Sequence, residues 1–448
     1  MGLCAGIALR ADSVGVVVAG AGSSTGGLAR SCVPATLVLA PGGGALVGAP
    51  AQRYAQAGVG AVFGDFAGRV GDPVPVVGSD GSARLGADLV AMTIDGALRM
   101  CVRGCRLSHL TIAHPPGWGP YEASVLRSAL TCTAAEAVPT SLVSSPVAIV
   151  MATAAARMMS SSETAIVADI GATGTEVALV GGRRDYGGRP EALIWAGELA
   201  TGELDRVLAR HVLKQVRNHL PVPELHHPAN RVLAEDVVAR CRMAREALSR
   251  GTSTVVEVIL PAGPIPVHVS SAEFDSLVGA PLRRGLLAFV QLLEHAKARG
   301  GTVDAIVLTG EPAGTVLLSR LLSTQGAPRV IIPPHPEWAS ATGAALVATD
   351  RLPHPPAQPA VLARQDRLPR HVQQQAVPRT PAHPGAPGTR TRRQVRKWTL
   401  RVGSLLLTAT LASDPPTRTK RSRDGAPAPR GQAAASPGWL RPRLQAGP

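Results

Sequence analysis

Residues 165–180 read AIVADIGATGTEVALV: an apolar run ending on an acid, a turn of small residues, and a second apolar run leading away. The pattern predicts a strand, a tight turn and a returning strand, with Asp169 at the end of the first and Gly171, Ala172, Thr173 and Gly174 in the turn. Small residues let backbone N–H groups come close to phosphate oxygens, and a carboxylate at a strand end can hold a hydrated metal ion. The chemistry on offer is therefore phosphate binding by the turn, with Mg2+ held through water by Asp169. A plain β-hairpin with a tight glycine turn accounts for the same residues without a ligand, and the segment alone leaves both readings open.

Other reactive residue types are less well placed. His226 and His227 stand between Pro223 and Pro228 and would need a third ligand to hold a metal, so a solvated turn is the better reading. Pro41-Gly42-Gly43-Gly44 lacks the Lys-Ser/Thr that completes a P-loop and reads as a hairpin turn. Cys101 and Cys105 fall one turn apart on an apparent helix, but no second ligand pair follows at zinc spacing, and buried thiols are expected. No motif places a Ser/His/Asp set.

The elements that must position Asp169 and its turn read as an α/β chain with mixed sheets. Apolar runs bounded by Gly or Pro predict strands at 15–19, 35–39, 107–113, 164–169, 176–180, 255–259, 305–309 and 330–332. Stretches with 3.6-residue patterning predict helices at 87–102, 122–130, 204–216, 234–249, 273–299 and 314–322. Hairpin-like strand pairs mix with strand–helix alternation, which is too irregular for an eight-fold barrel.

The chain has 448 residues, enough for two or three compact units, and carries a formal charge of +15. That charge is not spread over a folded face. Residues 351–448 hold 18 Lys+Arg against 3 Asp+Glu, which leaves 28 of each sign in the first 350. The body is neutral, so a specific nucleic-acid surface is not expected. From residue 351 the sequence is rich in Pro, Arg, Ala, Gln and His and predicts a disordered tail. One island, VGSLLLTATLA at 402–412, follows five basic residues and is too short to span a bilayer; a helix on an anionic membrane surface or on a partner is one reading, and a nonfunctional tail accounts for it as well. Six scattered cysteines without a secretory leader pattern predict a reducing, cytoplasmic setting.

Six segments in order resemble the nucleotide-binding domain of the Hsp70 chaperone family. The Asp169–Gly174 turn resembles the family's phosphate-2 loop. Residues 110–118, LTIAHPPGW, resemble the strand "TVPAYF", and 137–150 resemble the segment ending "NEPTAAAL", a helix connecting two lobes. RCRMAREALS at 240–249 is similar to the helix lining the adenosine pocket, and IVLTG at 306–310 to the strand and glycine turn beneath the adenine. WASATGAA at 338–345 resembles the second connecting helix, "AVAYGAA". Nothing after residue 350 resembles the family's peptide-binding domain.

The resemblance implies an actin-like (ribonuclease H-like) fold, with lobe I at 1–160, lobe II at 161–350 and a nucleotide cleft between them. It implies ATP or ADP with Mg2+, the phosphates near Arg10, Asp12, Asp169, Gly171, Ala172, Thr173 and Gly174, and the adenosine near Arg245, Ser249, Gly310 and Glu311. Several positions depart from the family. Ala8 stands where an Asp is expected and Arg10 where a Gly is expected. The Lys expected near Gly64 or Asp65 is absent, the first Lys in the chain being Lys214. Ser145 replaces a Glu, and Arg242 stands where a Glu would meet the ribose. Phosphoryl transfer relies on such groups acting as a unit, so nucleotide binding with slow or absent hydrolysis is expected. The alternative is a pseudo-ATPase scaffold that binds a protein partner and docks its basic tail on an anionic surface. A sugar kinase is a third option, without an Asp placed as a base.

Overall fold

Leu3–Leu9 is an apolar run buried over almost its whole length, the signature of a strand covered on both faces. It forms β1, and a computed structural model of the chain describes what surrounds it, over residues 2–20, 29–102, 106–181, 190–220, 230–325 and 327–351. His226, His227, Cys105, the expected tail from 352 and its apolar island lie outside the described residues.

After β1 come β2 (Ser13–Gly20) and β3 (Ala29–Pro34), then a small three-stranded sheet of β4 (Leu37–Leu39), β5 (Ala45–Val47) and β6 (Ala61–Phe63), with α1 (Gly48–Gln56) between β5 and β6. A short ribbon, β7 (Val76–Val77) and β8 (Ala83–Arg84), leads to α2 (Gly86–Val102), β9 (Leu107–His114), α3 (Pro120–Leu130), β10 (Thr140–Ser144) and α4 (Ser145–Ala155). The second half runs β11 (Ala165–Ile170), β12 (Thr175–Val180), β13 (Ala192–Ala196), α5 (Thr201–Gln215), α6 (Arg231–Leu248), a two-stranded β14 (Ser253–Leu260) and β15 (Gly263–Ser270), and α7 (Ser271–Ala298). It closes with β16 (Ala305–Gly310), α8 (Pro312–Thr324), β17 (Arg329–Ile331) and α9 (Ala339–Asp350).

The two main sheets repeat one plan. The first is ordered β3-β2-β1-β9-β10 and the second β13-β12-β11-β16-β17. In each, three strands form an antiparallel meander and two later strands add in parallel beside the first. The helices that end the two halves then cross over. α4 follows the first sheet but packs on β11 and β12, α9 follows the second but packs on β1, β2 and β9, and the two helices pack against each other.

Small residues make that crossing close. A side chain at Gly343 of α9 would run into the backbone of Ala148 in α4, and one at Gly6 of β1 into Ala341 and Ala345. The alternate face of β1 carries Ala5, Ile7 and Leu9 into a core shared with α2, while Ala8 packs against Ala341 and Ala345. In β11, Ile166, Ala168 and Ile170 face the core of the second half, and Ala165 and Val167 face α4.

The expected strands and helices all occur, with ends shifted by a few residues. β3, β5, β6, β7, β8, β10, β13, β15 and α1 were not expected, being short, half-exposed or polar at alternate positions, and β1 was not expected either although it is a buried apolar run. α7 is long and apolar enough to cross a membrane by composition, yet its stripe of Phe274, Val278, Leu282, Leu286 and Phe289 is buried in the second core. Cys101 is half-buried, whereas Cys32 and Cys132 are exposed.

Candidate functional site

The internal repetition brings two hairpin turns face to face. Leu9 pairs with Val14 at the end of the β1–β2 hairpin, and Ile170 with Thr175 at the end of β11–β12. One residue earlier on each first strand stand Ala8 and Asp169, and one residue later Arg10 and Gly171. Thus the position that carries a carboxylate in the second hairpin carries a methyl group in the first. Where the second turn has a glycine, the first has an arginine.

That arginine reaches across the gap. Arg10 Nη2 donates to Asp169 Oδ1 at 3.3 Å, with the two side chains 22% and 10% exposed. Thr309 Oγ1 of β16 donates to the same oxygen at 3.2 Å. Desolvation opposes the charge on Arg10, but Asp169, and after it Asp12, outweigh this and raise its pKa. Among the described residues its Nε lies buried with no hydrogen-bond partner. Asp12 sits at the exposed rim, its Oδ1 accepting from Ser13 Oγ at 2.9 Å.

Glu176 lies directly across the ladder from Asp169. Burial, then the charge of Asp169, push its carboxyl up to about 8, with Arg10 offsetting part of the effect. At neutral pH Glu176 is therefore mostly protonated, and a protonated carboxyl donates as well as accepts.

The second turn is shaped by its neighbours. Gly171 N–H donates to Gly174 O at 2.9 Å, while Thr201 N–H and Gly202 N–H at the start of α5 donate to the carbonyls of Gly171 and Ala172. Among the described residues the N–H groups of Ala172, Thr173 and Gly174 make no hydrogen bond. Gly174 is required for packing, since a Cβ there would overlap the indole of Trp195 on β13. On the opposite wall Trp118 stacks on His114, ring centroids 5.5 Å apart and nearly parallel.

These groups enclose a cleft of about 260 Å³. Arg10, Asp12, Asp169, Gly171, Ala172, Thr173 and Gly174 all line it, so the residues expected at the phosphates are brought together. Ala67 and Gly68 line the same cleft, close to the positions where a Lys was expected. Ala8 does not line it; its side chain is buried against α9.

The residues expected at the adenosine are placed differently. Arg245 of α6 is 2% exposed, its Nε 2.7 Å from Asp205 Oδ1 of α5 and its Nη2 2.9 Å from Glu311 Oε2. Burial raises the pKa of Asp205, and Arg245 pulls it back. Arg242 lies 3.6 Å from Glu311 Oε1, and half-buried Ser249 donates to Glu246 O. Arg245 and Ser249 line an indentation of only about 10 Å³. Gly310, with a φ of +94°, lets the chain leave β16 past the backbone of Ile170 where a Cβ would collide.

Sequence reasoning missed Glu176, Asp205, Thr309 and Trp195. Asp205 and Trp195 carry no local signal, and the roles of Glu176 and Thr309 follow from strand register with Asp169. No family model matches the chain, and no curated protein matches it.

A resident Mg2+ does not fit this donor set. Asp169 Oδ1 already accepts from Arg10 and Thr309, a divalent ion there would meet the guanidinium, and no group of three or more His, Cys, Asp or Glu with metal-site geometry occurs among the described residues. A phosphate fits better, because unpaired backbone N–H groups and an unpaired guanidinium N–H are the donors it takes.

Proposed function

We propose that the chain is an actin-type, Hsp70-like nucleotide-binding protein, related to chaperones by descent, which holds the phosphate end of ATP or ADP between its two hairpin turns and hydrolyses it slowly or not at all. The observation that carries this is the repeated strand order of the two sheets, with the end helices crossing and the first hairpin of each half turned toward one cleft. The backbone N–H groups of the second turn, free among the described residues and beside that cleft, support a polyphosphate as the ligand. Slow turnover follows from the missing groups: the cleft is lined by no Lys, and the carboxylate that would match Asp169 in the first hairpin is Ala8.

Isothermal titration of the full chain with ATP and ADP tests binding, and steady-state phosphate release tests turnover. Saturable binding is expected, and Asp169→Asn should keep or tighten it, because the variant removes a carboxylate that repels phosphate and frees Arg10 to pair with the ligand. Turnover near that of an ordinary ATPase, about 1 s⁻¹ or more, would refute the catalytic part.

A second reading, a scaffold without a nucleotide, is favoured by Arg245. Its Nε and Nη2 are held by Asp205 and Glu311 and the adjoining indentation is small, so a base would have to find another seat. Absence of any ATP or ADP binding selects this reading.

A further inference from the structure

We propose that the cleft takes the phosphate group of its ligand without a divalent metal ion, Arg10 being the cation of the site. The inference rests on the nucleotide reading above and specifies the chemical form of the ligand, a polyphosphate free of metal.

Four observations lead there. Arg10 occupies the turn position that the repetition matches to Gly171, so a guanidinium projects into the space where the other hairpin offers backbone. It spans the cleft to Asp169 at 3.3 Å and neutralises that carboxylate, the job a metal ion would otherwise do. At the position matching Asp169 the first hairpin has Ala8, which faces α9, and the carboxylate it does supply, Asp12, stands at the exposed rim of the cleft. Finally, among the described residues Arg10 Nε is buried with no acceptor, an uncommon state for a charged group and one that a phosphate oxygen would relieve once the guanidinium turned toward the cleft.

In this arrangement Arg10 keeps its pairing with Asp169 and turns its guanidinium as the phosphate enters, so that the buried Nε gains an oxygen. The N–H groups of Ala172, Thr173 and Gly174 complete the anion's shell from the opposite turn. Mg2+ added to such a site competes with Arg10 for Asp169 Oδ1 and otherwise finds Asp12 at the exposed rim.

Titration calorimetry on the full chain, with ATP in Mg2+, ATP in EDTA and inorganic tripolyphosphate in EDTA, tests this. Dissociation constants for ATP with and without Mg2+ should agree within about threefold, and tripolyphosphate should bind in EDTA. Arg10→Gln should weaken binding in EDTA by about tenfold or more, and Mg2+ should restore part of it because Asp169 is then free. Binding of ATP that requires Mg2+ overturns the proposal and leaves the nucleotide reading standing. ATP binding in EDTA without tripolyphosphate binding overturns it as well, since the affinity then lies in the nucleoside. No binding of either ligand under any condition overturns both. Circular dichroism checks that Arg10→Gln folds; if it does not, the wild-type arms decide alone.

Discussion

Glu176 shows how one residue's state depends on where the fold puts it. Its pKa is raised from 4.5 to about 8, so the folded chain binds a proton that the unfolded chain releases. The stability this contributes is fully present below about pH 4.5 and is lost as pH rises through about 8. Melting temperature should therefore fall between pH 5 and pH 9 in the wild type, and Glu176→Gln should flatten that slope by a few degrees, roughly, measured by differential scanning calorimetry. An unchanged slope in a folded variant would show that Glu176 is ionised and solvated. Asp169 and its turn are visible in sequence because an acid between an apolar run and a small-residue turn is a local pattern. Glu176 reads as one more polar residue until strand register sets it opposite Asp169, and Arg10 gains its partner only when two hairpins 159 residues apart meet.

Among elements, the join of α5, α6 and the turn after β16 depends on one cation. Arg245 from α6 ties Asp205 of α5 to Glu311, and all three lie in low-dielectric surroundings. Removing the cation leaves Asp205 buried without a counter-charge, so Arg245→Ala should destabilise the chain by about 3–5 kcal/mol in urea unfolding. A second change, Asp205→Asn, should recover part of the loss, because it removes the charge left behind. Equal destabilisation by the double variant would mean that packing of the Arg245 stem, and not charge, is what matters. The α4–α9 crossing has a different basis. It needs Gly343 against Ala148 and Gly6 against α9, with Ser145 and Ser340 bonding side chain to side chain at 2.9 Å where the helices begin. Ser145, noted in sequence only as a lost glutamate, thus has a structural partner at the matching position of the other half.

At the scale of the molecule, a neutral folded body is joined to a segment that carries the whole net charge. Full-length protein should float with anionic liposomes at low salt and lose most of this at high salt, whereas residues 1–351 should not float under either condition. Equal behaviour of the two would leave residues 352–448 without a membrane role. The sequence by itself determined the α/β class, about half of the strands, most of the helices, the charge division and the Asp169 turn, because each depends on composition or on periodicity within some fifteen neighbouring residues. The tertiary structure decided the pairing order that makes the two halves repeat, the exchange of α4 and α9, the Arg10–Asp169 bridge and the enclosure of Arg245. All of these join residues far apart in the chain, and such contacts are set by which surfaces can be buried together, a choice that no short window of sequence contains.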